Sequence, residues 1–167
     1  RRADAFSGQF SWKPEFRAHY TDPLFTRGDV SVRGRSGDVE YEVAFNNDDA
    51  RRSGAGGPTL IYDGAGTNIE RRRDVWNTHY DTPKLSGRIT WDPAGDTVAN
   101  LGGHYQRKYD RYYEDGVRTG PGLTDRLRTV RQNEDGWNYE VSGDYQFGFG
   151  PGKLRLIGLR RFSHEPS

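Results

Sequence analysis

The sequence contains neither cysteine nor methionine. Because a disulfide framework, a thiolate metal site and a cysteine nucleophile all require cysteine, the composition excludes all three. No apolar run approaches the roughly 18 residues that a transmembrane helix needs. No signal peptide is recognisable, so we expect the chain to be a fragment of a longer protein whose export signal lies outside it.

Hydrophobic residues are also scarce. They make up 32% of the 167 residues, and the mean hydropathy is −1.02, whereas a globular domain has roughly 45 to 50% apolar residues. The formal net charge of +1 argues against a nucleic acid partner, because phosphate binding needs a surplus of basic residues. Aromatic residues nevertheless reach 13%, which argues against disorder. The composition predicts an ordered chain without a large apolar core.

Apolar and polar residues alternate strictly along the first part of the chain. Between positions 6 and 20 every even residue is apolar, aromatic or small, and every odd residue is polar. A period of two predicts a strand with one apolar face. The run exceeds the usual strand length of roughly five or six residues, and its polar face is rich in charge. This combination is typical of a strand that crosses a membrane beside a wet lumen.

The same alternation recurs along the chain. It restarts after each turn, in the segments 30–34, 39–45, 85–91, 99–109, 137–149 and 154–156. We therefore predict an all-β fold: an antiparallel up-and-down meander forming about seven strands of a transmembrane β-barrel, with residues 1–167 as one partial domain.

Connections of two lengths separate the predicted strands. Short turns rich in Gly, Pro and Asp lie at 36–38, 93–96 and 150–152. The segments 48–81 and 112–134 are much longer, and we predict them to be extracellular loops. This assignment predicts one aromatic belt beside the short turns and a second toward the long loops. The first belt comprises Trp91, Phe147 and Phe149, and the second Phe16, Tyr20, Tyr105, Tyr109 and Trp137.

Charged residues face each other across the first short turn. Arg33 and Arg35 lie opposite Glu40 and Glu42 in either plausible register, so we expect cross-strand ion pairs on the lumen side. No nucleophile elbow or fixed triad motif occurs in the chain, so we expect no enzymatic activity. The four histidines lack the spacing of metal ligands, and we expect neither a metal site nor a cofactor.

The strand and loop rhythm resembles the first part of the barrel of a TonB-dependent outer-membrane receptor. The opening Arg1-Arg2-Ala3-Asp4 is similar to the end of the plug domain in that family. The resemblance implies a bacterial outer-membrane location, with the lipid bilayer, the protein's own plug domain and TonB as partners. It also implies import of a scarce extracellular ligand, such as a ferric siderophore or another metal chelate. The plug and the C-terminal strands would lie outside this chain.

The resemblance also implies a ligand funnel made of loops and the upper lumen wall. Arg17 and Lys108 would suit an anionic chelate, and Tyr80 or Tyr113 could stack on a ring. The ligand-binding candidates by parity and height are Arg17, His19, Asn46, Tyr80, Gln106, Lys108 and Asn138.

Two other interpretations fit the same alternation. A complete small outer-membrane barrel of about eight strands would serve adhesion or anchoring. A soluble antiparallel β carbohydrate-binding module would bury its aromatic face and would show no belts. A soluble module stays monomeric in buffer, whereas a piece of a large barrel exposes unpaired edges and a lipid face.

Overall fold

The computed structural model describes residues 5–17, 19–93 and 95–165, and in them the fold is all-β and antiparallel, as predicted. The basic opening 1–4 lies outside the described residues. Nine strands form one sheet. They are β1 (Ala5–Trp12), β2 (Gly28–Ser36), β3 (Val39–Asn46), β4 (Arg51–Tyr62), β5 (Asn68–Asp81), β6 (Lys84–Trp91), β7 (Val98–Thr119), β8 (Arg126–Phe149) and β9 (Gly152–His164).

Nine strands are present where about seven were predicted, and they are arranged in seven arms. β5 and β6 pair with the same edge of β7 in one unbroken register, since Asp81 lies opposite Tyr109 and Lys84 opposite Gln106. Between them, the carbonyl of Pro83 accepts a hydrogen bond from the amide of Arg107. On the other side β3 pairs with β6, and β4 pairs with β5. Residues 39–91 therefore form one long hairpin, with β3 and β4 in one arm and β5 and β6 in the other.

The interruption between β5 and β6 has a local cause. Pro83 has no amide hydrogen, so it cannot donate to the neighbouring arm. The side chain of Asn47 fills the gap, because its Oδ1 accepts from the amide of Thr82 at 2.9 Å. Its Nδ2 donates to Asp81 Oδ1 at 3.1 Å and to the carbonyl of Thr26 at 2.9 Å. Asn47 is only 3% exposed, and it joins three connections at the middle of the sheet.

The predicted first strand at 6–20 is too long. β1 ends at Trp12, and the chain then folds back over residues 13–27. Pro14 provides no amide donor for a continued ladder. Beyond Trp12 the chain forms the hydrogen bond from the amide of Lys13 to the carbonyl of Arg27 and the isolated bridge between Glu15 and Leu24, in place of a longer strand. Phe16 turns to pack edge-on against Phe25, with ring centroids 5.4 Å apart. The alternation of apolar and polar residues therefore overestimated the length of the first strand.

The segments 48–81 and 112–134 are not irregular loops. Most of their residues belong to β4, β5 and the far ends of β7 and β8. The irregular parts are short: 48–50 before β4, 63–67 at the tip of the long hairpin and 120–125 between β7 and β8. These strands lack an apolar face, because polar residues or glycines occupy both sides, and hydrophobic periodicity therefore could not reveal them.

The three short turns lie at one edge of the sheet, as predicted. Gly37 and Gly150 adopt φ values of 58° and 59°, a left-handed conformation that glycine adopts without steric cost. The long connections all lie at the opposite edge. In the described part of the chain, β1 pairs only with β2 and β9 only with β8, so the sheet has two open ends.

The sheet is a single layer with almost no interior. Among the described residues only Leu24 and Ala50 are buried apolar side chains. A globular domain would instead cover one face of such a sheet with a second layer. The apolar residues of this chain must therefore lie on its surface.

Candidate membrane face and ligand-binding residues

One face of the lower sheet is apolar across all seven arms. From β2 to β8, most apolar residues lie opposite another apolar or small residue on the next arm, because alternation and register agree. Exceptions are Arg107 opposite Trp137 and Arg160 of β9 opposite Val141. Leu101, at the centre, is 56% exposed. Two such rows are Phe45, Leu85, Tyr105, Tyr139 and Phe162, and nearer the short turns Tyr41, Ile89, Leu101 and Gly143. We call this surface the apolar face.

Aromatic side chains cluster at both ends of the apolar face. Toward the long connections, Trp137 lies 5.1 Å from the ring of Phe162 and 6.2 Å from that of Tyr105. Toward the short turns, Tyr145 and Phe147 stack at 5.4 Å. Trp137 and Phe147 lie about 33 Å apart along β8 at roughly 3.3 Å per residue. A strand tilt of roughly 35 to 45° reduces this distance to about 25 Å, the height of an outer-membrane apolar band.

Two residues predicted for the upper belt lie elsewhere. Phe16 and Tyr20 belong to the connection 13–27 rather than to a strand. Tyr20 packs on β4, where a Cβ added to Gly54 would lie 2.3 Å from its carbonyl oxygen. The connection thus crosses the outer side of the long hairpin, the side continuous with the apolar face.

The opposite face carries hydrogen-bonded polar side chains. Arg35 forms the predicted ion pair with Glu40, whereas Arg33 donates to Ser7 Oγ at 3.0 Å. A second network spans three arms: Asn100 Nδ2 donates to Asp144 Oδ1 at 3.2 Å, and Arg155 Nε donates to the same oxygen at 3.1 Å. We call this surface the polar face. Its charges are compensated locally, as a wall beside water or a second domain requires.

Four of the seven predicted ligand-binding residues line one small depression on the polar face. Tyr80, Gln106, Lys108 and Asn138 surround a cavity of about 140 Å³. Asn138 Nδ2 donates to Gln106 Oε1 at 3.4 Å, and Lys108 Nζ lies 3.8 Å from Glu134. The Arg51 guanidinium lies 4.4 Å above the Tyr80 ring. The depression therefore combines amides, a cation and an aromatic ring.

The other three candidates lie apart from this depression. Asn46 ends β3, and its Oδ1 accepts from the amide of Asp48 at 3.2 Å. Arg17 and His19 belong to the connection 13–27, where Arg17 lies 3.6 Å from Glu15. The ring of His19 lies 6.0 Å from that of Tyr20. Their role in ligand binding stays a prediction.

An aromatic pair that was not among the predicted site residues lies above the depression. Trp76 and Tyr112 stack at 6.4 Å with an interplanar angle of 22°. The Tyr112 hydroxyl donates to Glu114 at 2.8 Å, and this hydrogen bond raises the pKa of Tyr112. Both rings lie on the side of the sheet that carries Tyr80 and Lys108. Tyr112 has the same even parity as Gln106 and Lys108, and this alternation along residues 106–114 could have identified it from the sequence.

A larger cavity lies on the outer side, where the long hairpin meets the connection 13–27. Its volume is about 540 Å³, and its lining includes Phe45, Arg52, His79, Tyr109 and Arg111. We call it the junction cavity. Arg52 is paired with Asp81 at 2.7 Å. Burial and the nearby Arg52 charge lower the pKa of His79, although the Asp22 carboxylate 3.5 Å away opposes the shift.

Ion pairs dominate the far ends of the long strands. Arg131 holds Asp115 with contacts of 2.8 Å to each carboxylate oxygen, and this bidentate pair lowers the pKa of Asp115. Glu70 accepts from Arg72 and from Arg126, which lowers the pKa of Glu70 in the same way. These strands therefore rely on charge pairing where the lower sheet presents apolar side chains.

Comparison with known proteins finds no matching family model, no similar curated protein and no similar solved structure. The resemblance to TonB-dependent receptors therefore stays a prediction. Among the described residues, no group of three or more His, Asp or Glu side chains is placed to hold a metal ion. The same residues contain no helix long and apolar enough to cross a membrane.

Proposed function

We propose that this chain forms part of the wall of a bacterial outer-membrane β-barrel of the TonB-dependent receptor kind, which imports a scarce ligand such as a ferric siderophore. The supporting observation is a single-layer sheet with one exposed apolar face and one hydrogen-bonded polar face. Lipid covers such an apolar face without a second protein layer, while the polar face lines a wet interior.

The arrangement of the connections supports the same proposal. Tight turns lie at one edge of the sheet, and long hairpins extend from the other, which matches short periplasmic turns and long extracellular connections. The plug domain and TonB would act on the polar face and on parts of the protein outside this chain. The extended hairpins would then stand in the medium from which the ligand comes.

Membrane insertion can be tested with single-tryptophan variants. Trp91 lies on the apolar face and is 42% exposed, whereas Trp76 lies on the opposite side of the extended hairpin. In vesicles with brominated acyl chains, we expect quenching of a variant that keeps only Trp91. The matched variant that keeps only Trp76 should not be quenched. If neither is quenched and the protein stays monomeric in buffer, the soluble carbohydrate-binding interpretation replaces the barrel.

Ligand binding can be tested at the depression that contains Tyr80, Gln106, Lys108 and Asn138. Isothermal titration calorimetry with ferric hydroxamate and catecholate chelates measures binding at this depression. Replacing Lys108 with Ala should weaken binding of an anionic chelate. The control Lys153→Ala removes an equal charge at the short-turn edge, where Lys153 pairs with Asp96 at 2.7 Å. Equal affinity in both variants would exclude Lys108 as a contact.

A further inference from the structure

We propose that Arg107 and Arg111 bind the anionic headgroup of a membrane lipid at the upper margin of the apolar face. This inference rests on the proposed membrane location. It assigns a ligand to the junction cavity and to the adjoining outer surface of β7. The ligand is a phosphate-bearing lipid whose acyl chains lie along the apolar residues below.

The outward side chains of β7 change from apolar to charged at one height along the strand. Leu101 and Tyr105 point outward within the apolar face, and the next outward residues are Arg107, Tyr109 and Arg111. A cation, an aromatic ring and a second cation thus follow directly above the apolar band. Arginine side chains at such a height extend their charged ends to the headgroup region while their stems lie on lipid.

Arg107 and Arg111 differ from the outward-facing Arg52 and Arg131 in having no carboxylate partner among the described residues. Arg52 pairs with Asp81, and Arg131 pairs with Asp115. Within residues 5–17, 19–93 and 95–165, by contrast, no carboxylate oxygen lies within 4 Å of the Arg107 or Arg111 guanidinium. Arg107 lies 5.2 Å above the ring of Tyr109. Both cations are therefore available to an external anion.

The junction cavity provides the binding site for this anion. Arg111 and Tyr109 form part of its wall, and Phe45 of the apolar face borders it. His79 Nε2 is buried without a hydrogen-bond partner among the described residues, and the Asp22 carboxylate lies 3.5 Å from it. Asp81, which also lines the cavity, is paired with Arg52 at 2.7 Å. A headgroup phosphate could accept from Arg111 here while its glycerol backbone reaches Phe45.

A lipid fits this site better than free phosphate. The cavity opens beside the exposed side chains of Phe45 and Leu85, which offer acyl chains a continuous apolar surface. Free phosphate would gain only the charge contacts, and these are weak at an exposed site in salt. Juxtamembrane cations instead act together with the buried chains.

Lipid titration followed by native mass spectrometry tests the proposal. The protein carrying this chain is purified in a neutral detergent and titrated with phosphatidylglycerol, with phosphatidylcholine of identical chains, or with inorganic phosphate. We expect phosphatidylglycerol to bind most tightly. Replacing both Arg107 and Arg111 with Gln should lower its affinity about thirtyfold, since each juxtamembrane cation contributes about fivefold. The control replaces Arg71 and Arg73, outward-facing residues of β5 near the hairpin tip, and should stay within about twofold.

Three results would overturn the inference: equal affinity for the two lipids, an equal loss in the Arg71 and Arg73 control, or equally tight binding of inorganic phosphate. Failure of the proposed function is distinguished from failure of this inference, because the Trp91 quenching experiment tests the membrane location by itself. If Trp91 is quenched by brominated lipid while the double variant keeps full affinity, only the headgroup site is refuted. If Trp91 is not quenched, the membrane location itself is refuted.

Discussion

The lower and upper halves of the same strands carry different side chains on their outer face. β7 and β8 pair in one register from Val98 opposite Gln146 to Arg118 opposite Arg126. Below Tyr109 the outward residues of β7 are apolar except Arg107, and above it they include Arg111 and Asp115. The backbone ladder is the same in both halves, so the side chains alone make the outer face apolar below and charged above.

The difference also shows how each half is stabilised. The lower half presents about 25 Å of apolar surface, which suits a bilayer, and its polar face contains compensated charges such as Arg35 with Glu40. The upper half carries ion pairs on both faces, including Arg131 with Asp115 outside and Arg128 with Glu114 inside. Tyr20 and its neighbours also cover part of the outer side there. Variants placed at matched positions can test this contrast.

The largest effect is expected from a charge at the centre of the apolar face. Leu101→Arg should reduce the free energy of unfolding in lipid vesicles by about 2 to 4 kcal/mol, the cost of a cation at the bilayer midplane. Val117→Arg changes an outward residue of the same strand in the upper half and should have little effect. Urea titration followed by tryptophan fluorescence measures both. Equal effects in the two variants would remove the distinction between the halves.

A smaller effect is expected where the connection 13–27 packs on the upper half. A Cβ at Gly54 would lie 2.3 Å from the carbonyl oxygen of Tyr20, whereas a Cβ at Gly57 would meet nothing within 4 Å. Gly54→Ala should therefore destabilise the protein by about 1 to 3 kcal/mol, as overpacking does, while Gly57→Ala should be close to neutral. Denaturant unfolding compares the two. A neutral Gly54→Ala would show that the connection does not hold the hairpin.

Single ion pairs should contribute less in either half. Double-mutant cycles to Ala for Arg35 with Glu40 and for Arg131 with Asp115 should each give a coupling below about 1 kcal/mol, because all four side chains are partly exposed. The measured coupling should also fall as salt rises. A coupling of several kcal/mol for Arg35 with Glu40 would mean that the lower polar face is much drier than a lumen wall.

The smallest effect concerns pH in the upper half. Because the pKa of His79 is lowered in the folded chain, the unfolded chain takes up the proton first, near its ordinary value of about 6.5. Stability is therefore complete above this value and falls as pH decreases toward the lowered pKa. The urea midpoint should drop between about pH 7.5 and 5.5, and the drop should be smaller in His79→Gln. An unchanged drop would assign it to other groups.

The sequence was informative where one face is apolar. The alternating residues of β2, β3, β6 and the lower part of β8 predicted both the strands and the short turns, because a period of two with one apolar side is a strong signal. It failed at 51–57, where Arg, Ser and Gly occupy both sides of β4. It also misled beyond Trp12, where alternation continues although Pro14 and the bridge from Glu15 to Leu24 redirect the chain.

The candidate site was predictable to a similar degree. Gln106 and Asn138 lie opposite each other because β7 and β8 are consecutive strands, and the alternation of apolar residues in both places these two polar residues on the same face. Trp76 and Tyr112 were not predicted as a pair. They lie on β5 and β7, and these two strands pair only because residues 39–91 form the long hairpin. The junction cavity likewise forms from segments far apart in sequence, and no local pattern indicates such a meeting.

The irregular residues 47–50 make one arm of the long hairpin one residue longer than the other, while the outward side chains of both arms stay on the same face. From Phe45 to Arg52, the nearest outward residues, the chain advances seven positions, while the opposite arm advances only six, from His79 to Leu85. Apart from a register shift between Ile61 and Tyr62 beside the hairpin tip, the paired arms keep one register. A one-residue deletion within β7 would therefore turn its apolar side chains to the wrong face. This hairpin can therefore gain or lose single residues at 47–50 and at its tip, whereas changes within the paired strands must come in twos.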